Sequence, residues 1–206
     1  MNRTKLGCVG VAVGLVGAGV SMGAITSVAG TVTQIGAPTL ANWPTLTGPL
    51  ADAWDEQQSV TLPAGGVFVD MLVSGGTMSS TSPTPGVVTG IVDSHMLHWS
   101  VGPVPQATGT VTFNAPIEGV IYGDLLLDAT DALLGAGGTT YPTGQVGRGM
   151  NFAGVLTATG NQLHFNFIHA TGAIDIEQVR VLTRVPAPGG VCVGMLGLAA
   201  AMRRRR

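Results

Sequence analysis

The sequence predicts an all-β domain, a sandwich or barrel, set between two terminal segments of different character. Three observations predict it. Glycine, threonine and valine dominate residues 30–185, and short apolar runs are broken by glycine or proline roughly every 8–15 residues, the rhythm of strands and turns. The stretch "NQLHFNFIHA" alternates strictly, with Leu163, Phe165 and Phe167 on one side and His164 and Asn166 on the other. Helical periodicity is confined to two short segments.

In chain order, "LADAWDEQQ" (residues 50–58) reads as the first of those helices. "GGVFVDMLVSG" (65–75) reads as a strand, and "SSTSPTPG" (79–86) as a loop rich in turn residues. "GVVTGIVDSHMLHWSV" (86–101) holds one or two strands, and "TVTFNAPIEGVIYG" (110–123) a strand–turn–strand pair turning near Asn114 to Gly119. "DLLLDATDALLG" (124–135) is the second helix, with Leu126, Leu127, Leu133 and Leu134 and a glycine stop at Gly135. The closing "AIDIEQVRVLTRV" (173–185) is a strand with a defect, because Ile174 and Ile176 share one parity and Val179 and Val181 the other. One extra residue near Glu177 and Gln178 reconciles them, so a β-bulge is expected there, leaving Arg180 outward.

Residues 1–29 follow the three-part plan of a secretory signal peptide: Arg3 and Lys5, an apolar and glycine run from Leu6 to Val20, then Ser27 and Ala29 as the small pair read at cleavage. The run is too short and too rich in glycine for a first transmembrane helix, which takes about 20 apolar residues. At the other end, residues 190–202 are apolar but reach only about two-thirds of a 30 Å hydrocarbon core. Arg203, Arg204, Arg205 and Arg206 follow as a stop-transfer charge held in the cytoplasm. An apolar flank argues against a nucleic-acid arm, which needs a solvated one.

The proline motif Val185, Pro186, Ala187, Pro188 and Gly189, the apolar run and the arginine cluster together resemble the PEP-CTERM sorting signal of bacterial exosortase substrates. Ala187 stands where that signal has an acidic residue. The resemblance is carried by residues 186–206 and the valine before them. It implies export, transient anchoring in the inner membrane, and removal of the tail by a membrane-embedded cysteine transpeptidase. Signal peptidase and an exosortase-type enzyme are then the processing partners, and the body belongs to the cell surface or extracellular matrix. "AIDIEQVRVLTRVPAPG" is similar to the final strand of jelly-roll sandwiches that precede such signals. "GVIYGDLLLDATDALLGAGGTTYPTG" resembles a stretch of uncharacterised exported bacterial proteins with the same tail. The implied fold is a jelly-roll-like β-sandwich over residues 30–185 with one or two short helices, flanked by a signal helix and a short C-terminal apolar helix.

Composition narrows the function. All 11 acidic residues fall within residues 30–185, where Arg148, Arg180 and Arg184 are the only basic ones, giving that segment a net charge of −8. Such a body repels nucleic acid and anionic membrane. Both cysteines, Cys8 and Cys192, lie outside it, so no disulfide, thiol nucleophile or cysteine ligand is expected within it.

Candidate chemistry is sparse. Asp124, Asp128 and Asp131 are spaced i, i+4, i+7 and share one helix face; hard-cation chemistry makes them candidates for Ca²⁺, and a solvated acidic face is the competing reading. His95 and His98 fall on opposite faces of a strand and cannot share a metal, and each histidine reads as a surface or sheet-edge group. There is no G-x-S-x-G or H-E-x-x-H motif. Trp43, Trp54 and Trp99 are candidates for a sugar-stacking platform. The sequence reading is therefore an exported structural or binding domain, without catalysis or a resident cofactor, with extracellular polysaccharide as candidate partner. The alternative is a secreted glycan hydrolase using one of many Asp/Glu pairs.

Overall fold

The computed structural model describes residues 24–42, 46, 48–100, 106–150, 154–168 and 176–185. Its elements are β1 (Ile25–Gly30), β2 (Val32–Gln34), β3 (Ala51–Asp55), β4 (Val60–Thr61), β5 (Val67–Val69), β6 (Met71–Leu72), β7 (Thr77–Ser79), β8 (Gly86–Val88), β9 (Ile91–Ser100), β10 (Gln106–Phe113), β11 (Ile117–Ile121), α1 (Asp124–Leu134), β12 (Val155–Thr159), β13 (Gln162–Ile168) and β14 (Ile176–Arg184). Sheet A has the order β1-β10-β13-β12-β7, antiparallel throughout. Sheet B has the order β2-β3-β9-β14-β11-β6, with β4 also on β9, and only β2 and β3 run parallel. A two-stranded ribbon joins β5 to β8.

The sheets face each other, because alternate residues of each are apolar and need a partner. Val111, Phe113, Leu163, Phe165 and Phe167 of sheet A meet Leu97, Trp99, Val120, Val179 and Val181 of sheet B in one core. The protein is all-β, as the sequence predicts, with β13 alternating as read and α1 ending at Gly135, whose N–H bonds Asp131 O.

Sheet B is covered on its other face too. Trp54, Met96, Ile121 and Leu182 pack there with Leu127 and Leu134 of α1 and Val67, Val69 and Val88 of the ribbon. β9 and β14 thus lie in the middle of three layers, each buried along all but one residue.

That second cover overturns several expectations. Residues 176–184 pair with 100–92 in unbroken register, so no bulge stands at Glu177 and Gln178. Both parities of β14 are apolar because both faces are buried. The register shift lies instead in β11, between Ile117 and Gly119; Ile174 is outside the described residues. The predicted helix at 50–58 is β3, paired with β9 on one side and β2 on the other. Ala51 and Ala53 fill the sandwich core while Trp54 fills the α1 side, so burial on two faces outweighs local propensity. "GGVFVDMLVSG" divides at Asp70, whose Oδ2 accepts N–H bonds from Tyr122 (2.7 Å) and Gly123 (2.8 Å). The turn after Phe113 joins β10 to β11 across the sandwich from sheet A to sheet B, not within one sheet.

Candidate functional site

The α1 side of sheet B holds charges where water is excluded. Arg180, expected outward, is wholly buried, as is Arg148. Arg180 Nε and Nη2 donate to Glu56 at 2.7 and 3.0 Å, Nη2 also to Asp131 Oδ1 at 3.0 Å, and Nη1 to Thr130 Oγ1 at 2.6 Å. The Tyr141 hydroxyl donates to Glu56 Oε1 at 2.5 Å, and its ring lies 5.4 Å from Arg180 Cζ. Burying ions is costly unless they are paired and hydrogen-bonded, and here both conditions hold. Burial pulls the Arg180 guanidinium down, but Glu56 and then Asp131 lift it above its ordinary value. Burial and the Glu56 carboxylate push the Tyr141 hydroxyl up.

The aspartate row lies on one face of α1 as predicted, but that face is not solvated. Asp124 accepts N–H bonds from Gly147 (2.8 Å) and Gly149 (2.6 Å). Asp128 accepts from Gly144 N (2.8 Å) and Arg148 Nη1 (2.7 Å). Asp131 takes Thr143 Oγ1, both Arg148 terminal nitrogens and Arg180. All six carboxylate oxygens are engaged, and Arg148 occupies the place a cation would take. Burial pushes the Asp131 carboxyl up, yet the bonds from Arg148 and Thr143 and the two guanidinium charges outweigh it and hold it below the ordinary range. Gly149 has to be glycine, since a Cβ there would sit 2.1 Å from Tyr122 O.

His95 and His98 do point to opposite faces, but neither is at a surface or edge; both are buried. His98 Nδ1 pairs with Gln178 Nε2 at 3.0 Å, and burial, reinforced by the Arg148 charge, pulls its imidazole down to about 3. His95 Nδ1 meets Asp55 Oδ1 at 2.7 Å and Nε2 meets Thr183 Oγ1 at 3.0 Å. A Thr–His–Asp chain is the arrangement of a catalytic triad, and no local pattern announces it because its members are spread over β3, β9 and β14. Its exposure runs backwards, however. Thr183 is wholly buried while the Asp55 side chain is 34% exposed, so the hydroxyl a substrate would need is the sealed end. His164 is exposed, and His169 lies outside the described residues.

The open concavities lie at the end of the sandwich. One of about 430 Å³ is walled by Leu72, Val87, Val88 and Ile91; another of about 440 Å³ by Ser74, Asn114, Gly160 and Asn161. Both are bordered by Glu118 and Arg184, which pair at 2.9 Å with side chains 14% and 63% exposed. Among the described residues Arg184 is the one lysine or arginine open to solvent. This pair is the candidate binding site, and sequence reasoning missed it, because nothing local distinguishes Arg184 from the buried Arg180.

The other predicted residues fall as follows. Trp54 and Trp99 are wholly buried and form no platform, and Trp43 is outside the described residues. Val185 borders the first concavity. Pro186, Ala187, Pro188, Gly189 and Arg203 to Arg206 lie outside the described residues, as do residues 1–23. Ser27 and Ala29 sit in β1, whose first residue, Ile25, is in the core. A cut after Ala29 would therefore remove most of β1. Among the described residues no helix is long and apolar enough to cross a membrane, and no cluster of three or more His, Cys, Asp or Glu side chains is arranged to hold a metal.

The fold and site define a class: an all-β sandwich with one sheet capped by a helix and a pair of open concavities at one end. Comparison with family models, with curated proteins and with solved structures finds no match.

Proposed function

We propose that this is an exported protein of the cell surface or extracellular matrix, with a structural or binding body that takes a glycan at the Arg184–Glu118 concavities. The observation that carries the binding reading is that ion pair. Guanidinium donors beside a carboxylate acceptor match the adjacent hydroxyls of a sugar, which donate and accept at once. The acidic balance of the body disfavours anionic ligands, leaving a neutral glycan. The reversed exposure of Thr183, His95 and Asp55 counts against a hydrolase using that chain.

The jelly-roll-like reading draws support from the nested pairing of β9 with β14 and β10 with β13, with β11 and β12 extending the two sheets. Export rests on the signal-like N-terminus and the PEP-CTERM-like tail, with signal peptidase and an exosortase-type transpeptidase as processing partners. In this reading the N-terminal cut falls before Ile25, which would keep that core residue in the mature body.

Two experiments test this. On a glycan array, the protein recovered from its host should bind neutral glycans, and Arg184→Ala should abolish that binding without lowering Tm; unchanged binding refutes the site. Mass spectrometry of the exported protein should find the arginine tail removed, and replacing Arg203 to Arg206 with serine should leave it uncut, because each arginine at the bilayer centre costs about 2.5 kcal/mol or more. Mature protein still ending in four arginines refutes the processing.

A further inference from the structure

Ile25 opens β1 and is a core residue, 5% exposed. Its N–H donates to Asp55 Oδ1 at 3.0 Å, its carbonyl accepts from Gln34 Nε2 at 3.2 Å, and β1 pairs with β10 from Ile25 to Gly30. The residue before it is held as well. Ala24 N–H donates to Asn114 Oδ1 at 2.9 Å, and Asn114 N–H donates back to the Ala24 carbonyl at 3.0 Å. Any cut that leaves β1 intact therefore falls on the N-terminal side of Ile25, and one just before Ala24 keeps all of these bonds.

The sequence narrows the place further. A signal peptidase reads small residues one and three places before the bond it cuts. The apolar run ends at Val20, and between it and Ile25 the residues Ser21 and Gly23 form such a pair, for a cut between Gly23 and Ala24. The next bond has Met22 in place of the outer small residue, and the pair Gly19 and Ser21 lies half inside the apolar run. Residues 24–185 contain 11 acids, three arginines and no lysine, and Arg148 and Arg180 are buried in ion pairs. A free amine at Ala24 is thus a rare cation on an acidic body.

Resting on the export reading above, we propose that signal peptidase hydrolyses the Gly23–Ala24 bond and that the amine it frees anchors the start of β1. The oxygen of the water consumed goes to the Gly23 carboxylate and both its protons to the Ala24 nitrogen, which becomes an α-ammonium. That nitrogen already donates to Asn114 Oδ1 in an exposed contact, so the charge keeps its water, and a charge-assisted bond is stronger than the amide bond it replaces. Consecutive backbone nitrogens are no more than about 3.7 Å apart, and Ile25 N is 3.0 Å from Asp55 Oδ1. The ammonium therefore lies within about 7 Å of that carboxylate, less than the screening length at physiological salt. Asn114 also lines the second concavity, so processing sets a positive charge beside it.

The test uses the protein exported by its host. Intact mass and N-terminal sequencing should place Ala24 first. A chain that keeps the signal-like segment overturns the export reading together with this one. Any other start, such as Met22, Ile25 or Gly30, overturns the proposed bond and leaves export standing. Lys5 is the one lysine of the chain, so the cut protein carries a single primary amine, and reductive methylation with isotope-labelled formaldehyde marks it alone. Its NMR titration should give a pKa about half a unit or more above that of the same protein in concentrated urea, an α-amino group being ordinarily near about 7.7–8.0. Asn114→Ala and Asp55→Asn should each reduce the shift. Asn114→Ala leaves the Asp55 bond to His95 in place, so it decides alone should Asp55→Asn not melt cooperatively. An amine that titrates alike folded and unfolded overturns the anchoring even where the cut is confirmed, as does a shift that survives these substitutions in folded protein.

Discussion

Sheets A and B share a core and differ in what lies beyond it. Sheet A has one covered face, and its strands alternate accordingly, apolar inward and uncharged polar outward. Sheet B is covered twice, so β9 and β14 are buried along nearly their whole length, and the polar residues they carry are held by partners. Asp, Glu, His and Arg within β9 and β14 therefore do not signal solvent, Arg184 at the strand end excepted. There they mark an interior joined by ions, and the sheet that does face water has no Asp, Glu, Lys or Arg.

The difference can be broken most forcefully at Arg180. Arg180→Met leaves Glu56 buried without its counter-ion, and loss of one partner of a buried pair costs about 3–5 kcal/mol. Urea denaturation should show that loss; a change below about 1 kcal/mol would mean that the network contributes little.

Acid should separate the sheets next. His98, pulled down to about 3 in the fold, has an ordinary value near 6.5 when unfolded. The unfolded chain then binds more protons, so stability is full above about pH 6.5 and falls as pH drops toward 3, by on the order of a few kcal/mol. Asp131, also held low, acts in the same direction below about pH 4. Denaturation at pH 7, 5 and 4 should follow this slope, and His98→Gln should flatten its upper part. Stability that rises on acidification contradicts the burial of His98.

A smaller effect is expected on the open face of sheet A, where Thr157→Val should change stability by no more than about 0.5 kcal/mol. A loss like that of Arg180→Met would show the outward row of Thr110, His164, Thr157 and Ser79 to be structural. Smallest of all, millimolar Ca²⁺ should leave Tm unchanged, since the oxygens of Asp124, Asp128 and Asp131 are already engaged. A rise of several degrees, abolished by Asp128→Asn, would reverse that expectation.

How much the sequence disclosed follows the same division. The alternation of β13 and the leucines and glycine of α1 are local signals, and both were legible. The two-sided burial of β14 was not, because a strand apolar on both parities looks like a strand with a bulge. The "LADAWDEQQ" stretch looked helical for want of any sign that β2 and β9 would flank it. The candidate site at Arg184 and Glu118 gave no local signal; of the charged layer beneath α1, the aspartate face could be read from spacing, but its partner Arg148 could not. Glu56 and Arg180 are 124 residues apart, and no pattern within a window joins them. Trp54 and Trp99, the largest side chains of sheet B, went to its two covered faces, which left none for a platform.

The position of β14 has a consequence for the order in which the molecule can be made. It is the last strand of the body and sits at the centre of sheet B, between β9 and β11. A chain made from its N-terminus has no means of closing that sheet until residue 176 and those after it are free to enter. Before then β9 lacks the neighbour along one edge, Glu56 lacks its counter-ion, and α1 has no finished surface to lie on. Closure over such long loops is slow and leaves unpaired apolar strands exposed meanwhile. Closure of sheet B is thereby delayed until residues 176–184 have been made, however early the strands of sheet A are complete.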